Sequence, residues 1–119
     1  MSNRRALITC VDTYMGPTIR EKFEANGIEV FSSRDPMRSQ EDCEALIKRA
    51  GQIDILIANL AEPPMTGPVH KIENADWGQL FDTLVHPLMY LLRAVTPQMV
   101  ARQSGKIIAV TIAAPLKGI

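Results

Sequence analysis

The chain is short of most features that would assign it a specialised class. It has no apolar run of about 18 residues, so no membrane-spanning helix is expected. It has no excess of either charge: 13 Lys and Arg balance 13 Asp and Glu, which gives no electrostatic pull toward nucleic acid or an anionic membrane. It has only two cysteines, Cys10 and Cys43, and two histidines, His70 and His86, with no tight spacing among them. That excludes a disulfide framework and gives no metal site. Both cysteines lie in apolar stretches and are expected as buried free thiols. No signal-peptide apolar region follows Met1–Arg5, so a cytoplasmic protein is expected.

What is present is an alternation of apolar periods over 119 residues, the length of a single domain (1–119). Ala6–Ile8 is a strand, followed by a helix from about Pro17 to Asn26 with Ile19 and Phe23 on its buried face and Gly27 as its stop. Ile28–Phe31 is the second strand. Ser39 caps the next helix with Asp42 as a weak capping-box partner, and Cys43, Leu46, Ile47 and Ala50 form its apolar stripe. Ile53–Ala58 contains the uninterrupted apolar run of a strand covered on both faces. A loop over Asn59–Pro68 leads to a long helix, 76–102, capped at Asp76 and kinked or divided at Pro87. Lys106–Ile112 is the last strand. Four strands separated by helices predict an α/β fold: a Rossmann-like, doubly wound parallel sheet in three α/β/α layers.

The first strand runs into Thr9-Cys10-Val11-Asp12-Thr13-Tyr14-Met15-Gly16. A dinucleotide fold places its glycine-rich phosphate loop there, because close backbone approach and a free helix N-terminus are what a pyrophosphate needs. Here Gly16 alone remains, and Cys10 and Tyr14 stand where open space is wanted. Tyr14 is expected to reach into the crevice at the strand's carboxyl end. The acidic residue that would close the second strand is replaced by Ser32, Ser33 and Arg34, with Asp35 one place late. Arg34 is either a solvated surface residue or a partner for a 2′-phosphate.

These elements, with Asp54-Ile55-Leu56-Ile57-Ala58-Asn59-Leu60-Ala61, Arg93-Ala94-Val95-Thr96-Pro97-Gln98-Met99 and Gly105-Lys106-Ile107-Ile108, resemble the short-chain dehydrogenase/reductase superfamily over the N-terminal half of a typical member. Asn59-Leu60-Ala61 is similar to its Asn-Ala-Gly element, which supports the central sheet. Within the superfamily, Thr9-x4-Tyr14-x-Gly16 and Val85-His86-Pro87-Leu88 resemble halohydrin dehalogenases of the B-type branch.

That resemblance implies a protein without a nicotinamide cofactor. Thr9, Tyr14, Gly16, Asn59 and Ile112 would then form a halide and substrate pocket, or a vestigial cofactor loop. The reaction implied is conversion of a vicinal haloalcohol to an epoxide by a Ser-Tyr-Arg set. The serine's place is held by Ile112, Thr111 points to the opposite face, and Leu84 stands where superfamily dehydrogenases carry a helix Asn. No complete catalytic set is therefore expected in this chain, Asp54 and Asp82 are expected to be structural, and His70 and His86 isolated. The early end of the chain suggests that the C-terminal part of the fold is missing. The resemblance also implies a homo-oligomer, dimer or tetramer, formed through helix 76–102. Two other readings stay open: an oxidoreductase using NADP or NAD with a degenerate loop, and a non-catalytic binding or assembly module.

Overall fold

The computed structural model describes residues 4–60 and 68–110. Thr111, Ile112 and most of the Asn59–Pro68 loop lie outside the described residues. The elements are β1 (Arg5–Ile8), α1 (Gly16–Ala25), β2 (Glu29–Ser32), α2 (Gln40–Ala50), β3 (Ile55–Ala58), α3 (Asn74–Leu80), α4 (His86–Arg102) and β4 (Lys106–Ala109). A 3₁₀ turn, Val69–Lys71, precedes α3, and a π-helical turn, Phe81–Val85, joins α3 to α4.

All four strands are parallel, in the order β2-β1-β3-β4. While the described residues of β2 and β4 stay more exposed, the two inner strands are the buried ones, covered on both faces. Their side chains divide by parity. Leu7, Leu56 and Ala58 face a core with Cys43, Leu46, Ile47 and Ala50 of α2 and Leu91, Ala94, Val95 and Met99 of α4. Ala6, Ile8, Ile55 and Ile57 face the other side, where Ile19 and Phe23 of α1 cover them. The expected three-layer, Rossmann-like arrangement is the one found.

The strand expected from Ile53 starts at Ile55. Ile53 is tied instead to α4: Gln98 Oε1 accepts its N–H at 2.9 Å, and Arg102 donates to its carbonyl at 2.8 Å. Asp54 has the structural role expected, since its carboxylate accepts the Arg5 N–H at 2.8 Å and lies 3.7 Å from Arg102. Among the described residues β4 ends at Ala109, three short of the expected Ile112.

The long helix is divided, with a different capping from that expected. Glu73, without a side-chain cap, precedes α3, and Asp76 sits inside its first turn. The division falls just before Pro87. The His86 N–H reaches back five residues to Phe81 O, so Pro87, which has no N–H to offer, falls in the first turn of α4. Four apolar residues spaced by four, Trp77, Phe81, Val85 and Met89, stay exposed along α3 and α4 at 55%, 36%, 47% and 50%. The helix is therefore apolar on more than one side but buried on only one.

Candidate functional site

Parallel strands finish on one edge of the sheet. The register pairs Ile8 with Ser32 and with Ile57, so the loop after β1, the segment after β2 and Asn59 after β3 meet there. Strand order also reverses between β1 and β3, since one leads outward to β2 and the other to β4. Open α/β sheets form their ligand crevice at such a point.

The loop Thr9–Gly16 is fastened to both neighbouring strands. Thr9 is buried; its N–H reaches Ile57 O at 3.2 Å and its hydroxyl donates to Asn59 O at 2.9 Å. The buried Asn59 side-chain amide donates to Cys10 O at 3.0 Å and to Thr13 O at 2.9 Å. On the other flank the Val11 N–H donates to Ser33 O at 3.2 Å. Two tight turns follow, Thr13 N–H to Cys10 O at 3.1 Å and Gly16 N–H to Thr13 O at 2.9 Å. Asn59 thus shapes the loop as well as ending β3.

Three positions in this loop have backbone requirements that suit glycine. Cys10 and Tyr14 adopt left-handed conformations, φ +46° and +51°, which cost an L-residue about 1 kcal/mol each. Gly16 has an ordinary helical role, but a Cβ there would lie 2.6 Å from the Val11 carbonyl carbon. The sequence keeps glycine only where nothing larger fits. Elsewhere it keeps the conformation of a glycine loop and adds a side chain to it. Tyr14 is 49% exposed. Cys10 is half-buried at the margin of the core with α2 and α4, against the expectation of two buried thiols. Cys43 is buried as expected, and desolvation, aided by Asp42 and Glu44, pushes its pKa up to about 11. It is a thiol, and no nucleophile, near neutral pH.

Although the Gly16 N–H is taken by Thr13 O and Pro17 has none to offer, the start of α1 lacks a side-chain cap. Its N-cap, Met15, is already helical (φ −86°, ψ −6°), offers no side-chain cap, and no acid stands in the first turn. Such an end attracts an anion.

Beside it, Arg34 forms a two-point pair with Asp12 of the loop: Nε donates to Oδ2, and Nη2 to Oδ1 at 3.1 Å. The hydrogen bond and then the charge of Asp12 raise the Arg34 pKa further, so the guanidinium stays charged. Asp35 is engaged by Arg49 of α2. Arg34 is therefore no freely solvated side chain. The sequence reading had no signal for this pair beyond two opposite charges 22 residues apart.

The remaining candidates lie elsewhere. Leu84 is in the π-helical turn and His70 in the 3₁₀ turn. His86 is not isolated: its Nε2 is 3.8 Å from Asp82 and its ring lies between Phe81 and Tyr90 at 6.0 and 6.4 Å. At 3.8 Å Asp82 is too far to orient it by a hydrogen bond. Among the described residues, no cluster of three or more metal-ligating groups forms, and no helix is long and apolar enough to cross a membrane.

At this edge the loop has a glycine-like backbone and α1 an uncapped start, and the half-exposed Tyr14 and half-buried Cys10 stand at positions where a glycine loop carries no side chain. Residues 6–119 match the family model described as short chain dehydrogenase. An uncharacterised oxidoreductase of Listeria monocytogenes is 28% identical over 103 residues, covering 83% of this chain and 41% of that protein. The chain thus spans about two fifths of that curated relative's length. Serine dehydrogenase from Escherichia coli superposes with a TM-score of 0.82 at 26% identity, covering 92% of this chain and 62% of that one. A solved protein described as a dehalogenation enzyme has a TM-score of 0.72 at 26% identity, covering 99% and 57%.

Proposed function

The chain belongs to the short-chain dehydrogenase family, and from that premise we propose that the full-length protein is an NAD(P)-dependent oxidoreductase acting on a small alcohol or carbonyl compound. The observation that carries this reading is the loop conformation. Cys10 and Tyr14 hold left-handed backbone while Gly16 presses on Val11, so the path of a phosphate loop persists without its glycines. The names of the Listeria relative and the E. coli dehydrogenase support the same class. A bound nicotinamide would supply or accept hydride. The chain's own part is to hold the dinucleotide: the open first turn of α1 takes the pyrophosphate, and Thr9 and Asn59 keep the loop in place. The exposed stripe Trp77, Phe81, Val85 and Met89 is assigned to contact with a second copy.

One observation favours a second reading. The second left-handed position of the loop carries a half-exposed tyrosine in place of a glycine, which suits a cofactor-free halohydrin dehalogenase with halide near the start of α1. The likeness to the dehalogenation enzyme supports it. Titration of the full-length protein with NADPH, NADH and sodium bromide, followed by intrinsic fluorescence, separates the two. Saturation at micromolar dinucleotide is expected. Absence of binding at millimolar dinucleotide, with quenching by bromide, overturns the first reading in favour of the second. No response to any of them defeats both.

A further inference from the structure

Arg34 stands two residues after β2, and the dinucleotide folds of this class place near there the group that meets the ribose 2′ position: an acid for a free hydroxyl, an arginine for a 2′-phosphate. An arginine alone would argue for the phosphorylated ligand. In this chain, however, two of the guanidinium's five N–H donors and its charge are already engaged by a carboxylate. Its Nε and Nη2 donate to the two oxygens of Asp12, a two-point contact that a phosphate could otherwise take.

Asp12 sits on backbone that is held in place beside Arg34. Its neighbour Val11 is stapled to Ser33 O at 3.2 Å, and the carbonyls of Cys10 and Thr13 are held by Asn59 at 3.0 and 2.9 Å. A phosphate arriving at Arg34 would have to displace a carboxylate that remains tethered beside it with the same sign of charge. The next residue, Asp35, adds a second carboxylate, itself held by Arg49.

We propose that Asp12 is a specificity-determining residue: by occupying Arg34 it turns the crevice against a ligand with a 2′-phosphate and toward a dinucleotide without one. The inference rests on the nucleotide reading of the site. It reverses what Arg34 alone would suggest. Asp12 and Arg34 are exposed, with side chains 61% and 57% accessible, so their replacement leaves the core intact.

The test is the ratio of NADP⁺ to NAD⁺ affinity in the full-length protein, measured by calorimetry. The wild type is expected to bind NAD⁺ more tightly than NADP⁺. Asp12→Asn is expected to tighten NADP⁺ about fivefold or more, the size of one exposed ion pair plus the repulsion removed, while NAD⁺ stays within about twofold. Adding Arg34→Ala to that variant should abolish the gain. A variant that tightens both ligands equally, or neither, overturns the role of Asp12 while the nucleotide reading stands. If neither dinucleotide binds wild type or variant, the nucleotide reading falls and takes this inference with it.

Discussion

Two helices leave the same edge of the sheet and begin in opposite ways. At α2, Ser39 is extended and its hydroxyl accepts the Asp42 N–H at 3.1 Å, Asp42 reaches back to the Arg38 N–H at 3.1 Å, and Glu41 adds a second acid. That end is closed by its own side chains. At α1, Met15 caps nothing, Pro17 is in the first turn, and no acid is near the helix start within that turn. A helix that served only stability would gain from a cap worth about 1 kcal/mol. The missing cap at α1, beside a loop in glycine-like conformation, is therefore an argument for a ligand there. The full cap at α2 shows what the same chain does where no ligand is expected.

The sharpest way to break this contrast is at Gly16. Replacing it with Ala sets a Cβ against the Val11 main chain, which cannot yield without moving β1. A loss of about 3 kcal/mol in urea unfolding is expected. Gly27→Ala, at φ +77° with open space around it, should cost about 1 kcal/mol. Equal losses would mean that Gly16 serves backbone freedom instead of close packing.

Asn59→Ala comes next. It removes two buried hydrogen bonds, to the Cys10 and Thr13 carbonyls, which keep only their turn donors, for about 2 kcal/mol of stability. It should also weaken NADH, or bromide under the second reading, by about tenfold or more. Retained affinity would show that the ligand does not depend on loop order.

The smallest effects compare the two helix ends directly. Ser39→Ala should cost about 1 kcal/mol and leave ligand binding alone. Thr18→Glu, an acid placed in the exposed first turn of α1, should change stability by no more than about 0.5 kcal/mol yet weaken the anionic ligand severalfold. The two outcomes exchanged would place the open end at α2.

Much of this architecture was legible in the residues. The apolar run Ile55-Leu56-Ile57 has the composition of a strand buried on both faces, and the stripe Cys43, Leu46, Ile47, Ala50 that of a helix lying on a sheet. The Ser39 cap followed from a local rule, since cap and partner are three residues apart. Pro87 marked the division of the long helix, because a proline acts on its own turn, but the π-helical turn that makes the join was not visible. The Asp76 cap failed because Glu73 begins the helix three residues earlier, and no side-chain spacing signals a helix start that lacks a side-chain cap.

The site was only partly legible. Thr9, Tyr14 and Gly16 stood out in the loop and Asn59 through the family resemblance, and these four lie at one edge of the sheet; Ile112, named with them, lies outside the described residues. What the spacing did not give is why: that Asn59 ties the loop from β3, that Val11 is held by Ser33, and that Cys10 and Tyr14 keep the left-handed backbone. A left-handed cysteine or tyrosine has no sequence signature, because isolated L-residues avoid that region. Only the surrounding hydrogen bonds impose it.

The sequence by itself determined the periods: two for the strands, 3.6 for the helices, and hence the family of sheets to which the chain could fold. Those are set by contacts within a few residues. The tertiary structure decided which distant groups neutralise each other. Asp12 and Arg34 become partners because the parallel strands β1 and β2 finish on one edge and bring their following segments together. Whether a charged side chain serves a ligand or its own fold depends on that meeting, and nothing local to either residue records it.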